Sequence, residues 1–117
     1  MNINIHATGI ELTPALRAYA EEKIGGLTKF FENIQLANID IGMRGNHHNK
    51  GNIFYAEVNL DVPGHIIRVE KEEVDLYKAI DKVKDHLKVE LEKVKEKMRR
   101  IDKEDLRDQK EYHDDAV

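Results

Sequence analysis

The sequence predicts an α+β fold of order β-α-β-β-β-α, a four-stranded mixed sheet with two helices packed on one face. Three observations predict it. Four stretches alternate apolar and polar residues, two longer stretches repeat apolar residues at steps of three and four, and glycine or proline punctuates most of the junctions.

In the first stretch Ile3, Ile5 and Ala7 alternate with Asn2, Asn4 and His6, as on a half-buried strand, and Gly9 ends it. Thr13-Pro14 starts a helix: a threonine oxygen can accept from the free N–H groups, and proline at the first position gives up no needed donor. Leu16, Ala20, Ile24, Leu27 and Phe31 then mark one apolar face. Gly25-Gly26 interrupts that helix at a cost of roughly 2 kcal/mol against alanine. A kink is expected there, or a break followed by a short second helix through Asn33.

Ala37, Ile39, Ile41 and Met43 mark the second strand, and Phe54, Ala56, Val58, Leu60 and Val62 mark the third. Pro63-Gly64 is a turn signature that leads into a fourth strand over residues 65–71. A helix between the first two strands makes them parallel with a right-handed crossover, and the rest form an antiparallel meander. Leu76, Ile80, Val83, Leu87, Leu91, Val94, Met98 and Ile101 then keep a three-four rhythm, so a helix is expected from about 75 to 100. At 1.5 Å per residue that helix is ~39 Å long, against ~27 Å for an eight-residue strand, and it overhangs its sheet by two or three turns. Residues 1–101 are therefore read as the domain and 102–117 as an acidic, flexible C-terminal tail.

Composition narrows the function. The chain has 117 residues, enough for one domain with its own core. It has no cysteine, which excludes disulfides, thiol nucleophiles and cysteine-ligated metals, and no serine, which excludes serine nucleophiles. No glycine-rich phosphate loop occurs, and no carboxylate stands in an apolar setting that would tune it for acid–base work. An enzyme, a cofactor or a small-molecule substrate is not expected. His47-His48 has no third ligand at a sensible spacing, so no metal is expected either. The N-terminus has no basic, apolar leader, and no run approaches ~20 apolar residues, so a cytoplasmic protein is expected.

Charge is uneven. The net value is −4, yet residues 76–101 hold 9 Lys and Arg against 5 Asp and Glu, and residues 102–117 hold 3 against 7. Lys78, Lys82, Lys84, Lys88, Lys93, Lys95, Lys97, Arg99 and Arg100 lie off the apolar seam of the last helix, and Arg17 and Lys23 flank the stripe of the first. If both helices share a sheet face, these cations can merge into one phosphate-binding ridge. They can equally form a solvated mixed-charge surface, since Asp81, Asp85, Glu90, Glu92 and Glu96 are interleaved. The end of the seam, Leu91, Val94, Met98 and Ile101, could instead pair with another protein.

Ile10-Glu11-Leu12-Thr13-Pro14-Ala15-Leu16-Arg17, with Lys23 and Leu27 following, resembles the opening of the ribosome hibernation promoting factor and ribosome-associated translation inhibitor family, also known as sigma-54 modulation proteins. Asp75-Leu76-Tyr77-Lys78-Ala79-Ile80-Asp81 resembles its second signature, and together the match covers roughly residues 1–100. The resemblance implies a domain seated in the mRNA and tRNA channel of the small ribosomal subunit, over the A and P sites, that silences translation under stress or in stationary phase. It implies RNA contacts at Arg17, Lys23, Lys82, Lys93, Lys95 and Lys97, to which charge adds Lys78, Lys84, Lys88, Arg99 and Arg100. It implies ribosomal RNA and ribosomal proteins as partners, a monomer off the ribosome, and a mainly structural part for Tyr77, Ala79 and Ile80. A general double-stranded RNA binder is the third reading. The length and acidic tail resemble the family's short form. The chain departs from the family at Gly26, often a basic residue, and at His86 and Val89, where the last helix commonly has Lys and Arg.

Overall fold

The computed structural model of the chain describes residues 1–46 and 51–115. Strand β1 spans Asn2–Thr8, helix α1 Pro14–Gly25, β2 Leu36–Asn46, β3 Asn52–Val62, β4 His65–Glu73 and helix α2 Leu76–Asp115, with a short 3-10 helix at Gly26–Lys29. This is the expected order. His47-His48, where no metal was expected, lies outside the described residues.

Local chemistry sets the helix ends. Thr13 Oγ1 accepts from the Leu16 N–H at 3.2 Å, with Pro14 in the first turn. Gly25 and Gly26 both keep right-handed helical φ, −59° and −63°, so the glycine pair does not kink the chain. It loosens the α-helix into a 3-10 turn, tied by the Thr28 hydroxyl donating to the Gly25 carbonyl at 2.9 Å. That turn stops at Lys29 rather than running to Asn33. The Phe30 and Phe31 N–H groups both donate to the Leu27 carbonyl, and the buried side chains of Phe31 and Ile34 draw the chain down toward the sheet.

The sheet order is β1-β2-β3-β4. Strands β1 and β2 are parallel, from Asn2 opposite Leu36 to Thr8 opposite Gly42, and the other pairs are antiparallel. Gly64 takes φ +77° in the β3–β4 turn, a conformation that favours glycine. One sheet face, including Ala37, Ile39, Ile41, Ala56, Val58, Leu60, Ile67 and Val69, is buried under both helices. Helix α1 supplies Leu16, Ala20 and Ile24, and α2 supplies Leu76, Ala79, Ile80, Val83, Leu87 and Leu91. Along that seam Leu91 is 1% exposed and Ile101 48%, which fixes where the helix leaves its support.

The last helix is longer than the seam foretold, 40 residues instead of an end near residue 100. Its polar continuation contains neither glycine nor proline and consists mostly of good helix formers, so backbone hydrogen bonding carries on where burial stops. At 1.5 Å per residue it is a rod of ~60 Å over strands of at most ~37 Å, and the long axis of the molecule is 73 Å.

The opposite sheet face is polar and mostly acidic, with Asp40, Glu57, Asp61, Glu70 and Glu72 against Arg44 and Arg68. It holds one buried aromatic ring. Tyr55 is only 7% exposed because the Arg44 guanidinium lies over it, 4.3 Å from the ring centroid, and reaches across to Glu70 and Glu72 on β4. The Tyr55 hydroxyl donates to Asp40 at 3.1 Å, and the missing side chain of Gly42 leaves room for the ring. No helix among the described residues is long and apolar enough to cross a membrane.

Candidate nucleic-acid interface

The two helices run in the same direction across the sheet. Tyr19 on α1 meets Tyr77 and Asp81 on α2, Phe30 meets Lys88, and Lys29 to Asn33 share an open groove of about 330 Å³ with Lys95. Lys23, one turn beyond Tyr19, therefore falls across from Lys84. On α2, Tyr77, Lys84, Lys88, Lys95 and Arg99 recur at steps of seven and four, which keeps them on the flank that faces α1.

Along this flank cations and aromatic rings alternate. The Lys23 ammonium stands 5.5 Å from the Tyr19 ring centroid, and the Lys88 ammonium 4.4 Å from that of Phe30. Each stem lies on apolar surface while the charge stays in water. Tyr19 and Tyr77 meet edge to face at 4.8 Å and 79°. The Tyr19 hydroxyl donates to Asp81 Oδ1 at 2.5 Å.

That bond has a titration consequence. Hydrogen bonding to Asp81, then burial, then the negative charges of Asp81, Asp75 and Glu22 push the Tyr19 phenol up from 10.0 to about 12. The neutral phenol is the favoured form in the folded chain. Its stabilising contribution is complete below pH 10 and is lost as pH rises through the interval from 10 to about 12. In a phenolate absorbance titration of the folded protein, a late step near 12 is expected, and Tyr19→Phe should remove it. Persistence of that step in Tyr19→Phe would show that another phenol is responsible.

The expected cations do not share one strip. Lys23, Lys84, Lys88 and Lys95 make no ion pair among the described residues and line the α1-facing flank. Four others are paired with carboxylates. Arg17 lies 3.7 Å from Glu21, Lys93 3.3 Å from Glu90 and Arg100 3.0 Å from Glu96, while Lys82 binds Glu73 at the end of β4. The Lys82 ammonium holds the Glu73 carboxyl below its ordinary value. By helical spacing Lys78 projects outward, Lys97 lies on the β4 side and Arg99 returns to the α1 side. Of the family departures, Gly26 sits in the 3-10 turn, His86 lines a groove beside β4, and Val89 is exposed on the outer surface. Cation counting overlooked Lys29 and the rings of Tyr19, Phe30 and Tyr77. The four-residue spacing of Tyr19 and Lys23 and the seven-residue spacing of Tyr77 and Lys84 were the available signals.

A four-stranded mixed sheet under two helices, with a lysine and aromatic seam between them, defines a class of small single-sheet α+β domain. The chain belongs to the family described as sigma 54 modulation protein / S30EA ribosomal protein, whose model matches residues 3–99. It is 38% identical over 86 residues to a ribosome hibernation promotion factor of Deinococcus radiodurans, covering 74% of this chain and 44% of that one. A ribosome hibernation promotion factor of Bacillus subtilis is 31% identical over 100 residues, covering 86% of this chain and 51% of its own length. The chain thus spans about half the length of these two curated relatives. The crystal structure of the Thermus thermophilus Protein Y N-terminal domain matches with a TM-score of 0.69 and 32% identity, covering 80% of this chain and 99% of that one. Both curated relatives carry the name ribosome hibernation promotion factor.

Proposed function

We propose that this domain silences translation by binding the small ribosomal subunit through the flank between α1 and α2. The ligand is ribosomal RNA in the mRNA and tRNA channel, over the A and P sites, and the occasion is stress or stationary phase in the cytoplasm. The domain works as a monomer off the ribosome and needs no cofactor, metal or small-molecule substrate. Blocking is steric, so no bond is made or broken.

One observation carries this reading. Lys23, Lys84, Lys88 and Lys95 line one flank with no ion pair among the described residues, while Arg17, Lys82, Lys93 and Arg100 are paired with carboxylates. An ammonium without a carboxylate can take a phosphate and release its counterion at no loss of an internal bond. The names of the relatives, ribosome hibernation promotion factors, support the partner.

Co-sedimentation with purified small subunits across a salt series tests it. Four lysine–phosphate contacts give a slope of log affinity against log salt of about −3 to −4. A flat salt dependence, or no binding with translation unimpaired in a purified system, would sink the proposal.

A further inference from the structure

Tyr77 is the one aromatic residue among the exposed large apolar side chains of the described residues, at 42% exposure. Its helical neighbours Leu76, Ala79 and Ile80 are all buried, so a ring left in water there needs a reason. The ring is also held in place. It packs edge to face on Tyr19, which Asp81 anchors through the phenol, and the Tyr77 backbone N–H donates to Asp75 Oδ1 at 2.9 Å, which fixes the helix start beneath it. A pre-oriented aromatic surface loses little freedom when a flat partner stacks on it. Two lysines follow it along the paired helices, Lys23 over the Tyr19 ring and Lys84 two turns along α2, ~10 Å away at the helical rise.

We propose that the Tyr19–Tyr77 pair is a stacking platform for one unpaired nucleobase, with the adjoining phosphates held by Lys23 and Lys84. The ligand of this flank is then single-stranded RNA with a base splayed from its stack, not continuous duplex. This rests on the flank being the RNA-binding surface, and it adds what the surface selects. Stacking on an aromatic face needs a base free of its own neighbours, whereas duplex recognition works through phosphates and 2′-hydroxyls along an intact minor groove. Asp81, Asp75 and Glu22 are the acids whose charges act on the Tyr19 phenol. Asp81 is already bonded to the Tyr19 phenol, and Asp75 to the Tyr77 N–H.

The test uses the full chain and fluorescently labelled probes at low salt: octaadenylate, an abasic ribose-phosphate octamer of equal charge, and an eight-base-pair RNA duplex. Octaadenylate should bind about tenfold more tightly than the abasic strand. Tyr77→Ala should erase that difference while abasic binding stays unchanged, and Tyr77→Phe should preserve it. Tyr77→Leu keeps apolar packing on Tyr19, so it should melt near the parent temperature and still lose the preference for bases. Equal binding of duplex and single strand, or a base preference that survives in Tyr77→Ala or Tyr77→Leu, overturns the platform. Small-subunit co-sedimentation separates the two proposals. Retained base preference without subunit binding refutes the ribosomal reading alone, and subunit binding without base preference refutes the platform alone.

Discussion

Lys84→Glu combined with Lys88→Glu is expected to weaken small-subunit binding by roughly a hundredfold. Two charge-assisted contacts to phosphate, each about 1.5 kcal/mol, are removed, and 1.4 kcal/mol is a factor of ten. The salt slope should become shallower by about two, since two fewer counterions are released. Lys88 also lies over the Phe30 ring, so its replacement costs up to about 1 kcal/mol of stability. A thermal melt separates that from the loss of affinity. Lys82→Ala and Lys93→Ala are the controls. Both side chains are bonded to carboxylates in the free protein, Lys82 to Glu73 and Lys93 to Glu90, so removing either changes affinity much less. Equal effects of the double variant and the controls would mean that the whole helix surface acts diffusely, with no privileged flank.

The second large effect is on stability. Gly42→Ala is expected to destabilise the domain by about 3 kcal/mol, lowering the melting temperature by about 12 °C or more. A Cβ there would stand 2.2 Å from the Thr8 carbonyl oxygen and 2.9 Å from Tyr55 Cε1. The first is backbone of the parallel partner strand, so relief requires β1 to move away or the Tyr55 ring to leave its place beneath Arg44. Urea unfolding measures the loss. Affinity per folded molecule should be unchanged, because Gly42 lies on the sheet face remote from the helices. Gly26→Ala is the contrast in the same experiment. Its backbone is already helical and nothing lies within 4 Å of the new Cβ, so it should gain about 0.5 kcal/mol. A melt of Gly42→Ala within a degree or two of the parent would refute the close-approach argument.

Much of this fold was legible because each element states its own period. Ile3, Ile5 and Ala7 alternate whatever lies beside them, Pro63-Gly64 turns the chain by local geometry, and Leu16, Ala20 and Ile24 face the sheet because helical spacing puts them there. Features set by distant residues were not legible. Alternation with Phe54 and Ala56 puts Tyr55 on the face away from the helices, and only the β2–β3–β4 register shows Arg44 bridging over it to Glu70 and Glu72. Charge counting treated the cations of α2 alike. The Lys93–Glu90 and Arg100–Glu96 pairs follow from helical spacing, but that Lys82 is paired depends on where β4 ends, since Glu73 meets it there. The Tyr19–Tyr77 pair joins helices far apart in sequence, and neither residue signals the other. The full length of α2 escaped notice because its last turns have no apolar seam to count.

The division of charge between the two sides of the sheet has a kinetic meaning. Over the open sheet face and residues 76–101, an excess of carboxylates on one side and of cations on the other gives that part of the molecule an electric dipole on top of the chain's net −4. A polyanion repels that monopole at long range, but its field exerts a torque that turns the lysine side inward. Both effects fade within about 10 Å at moderate ionic strength. Encounters are thus slowed in number and corrected in orientation, and added salt trades one for the other.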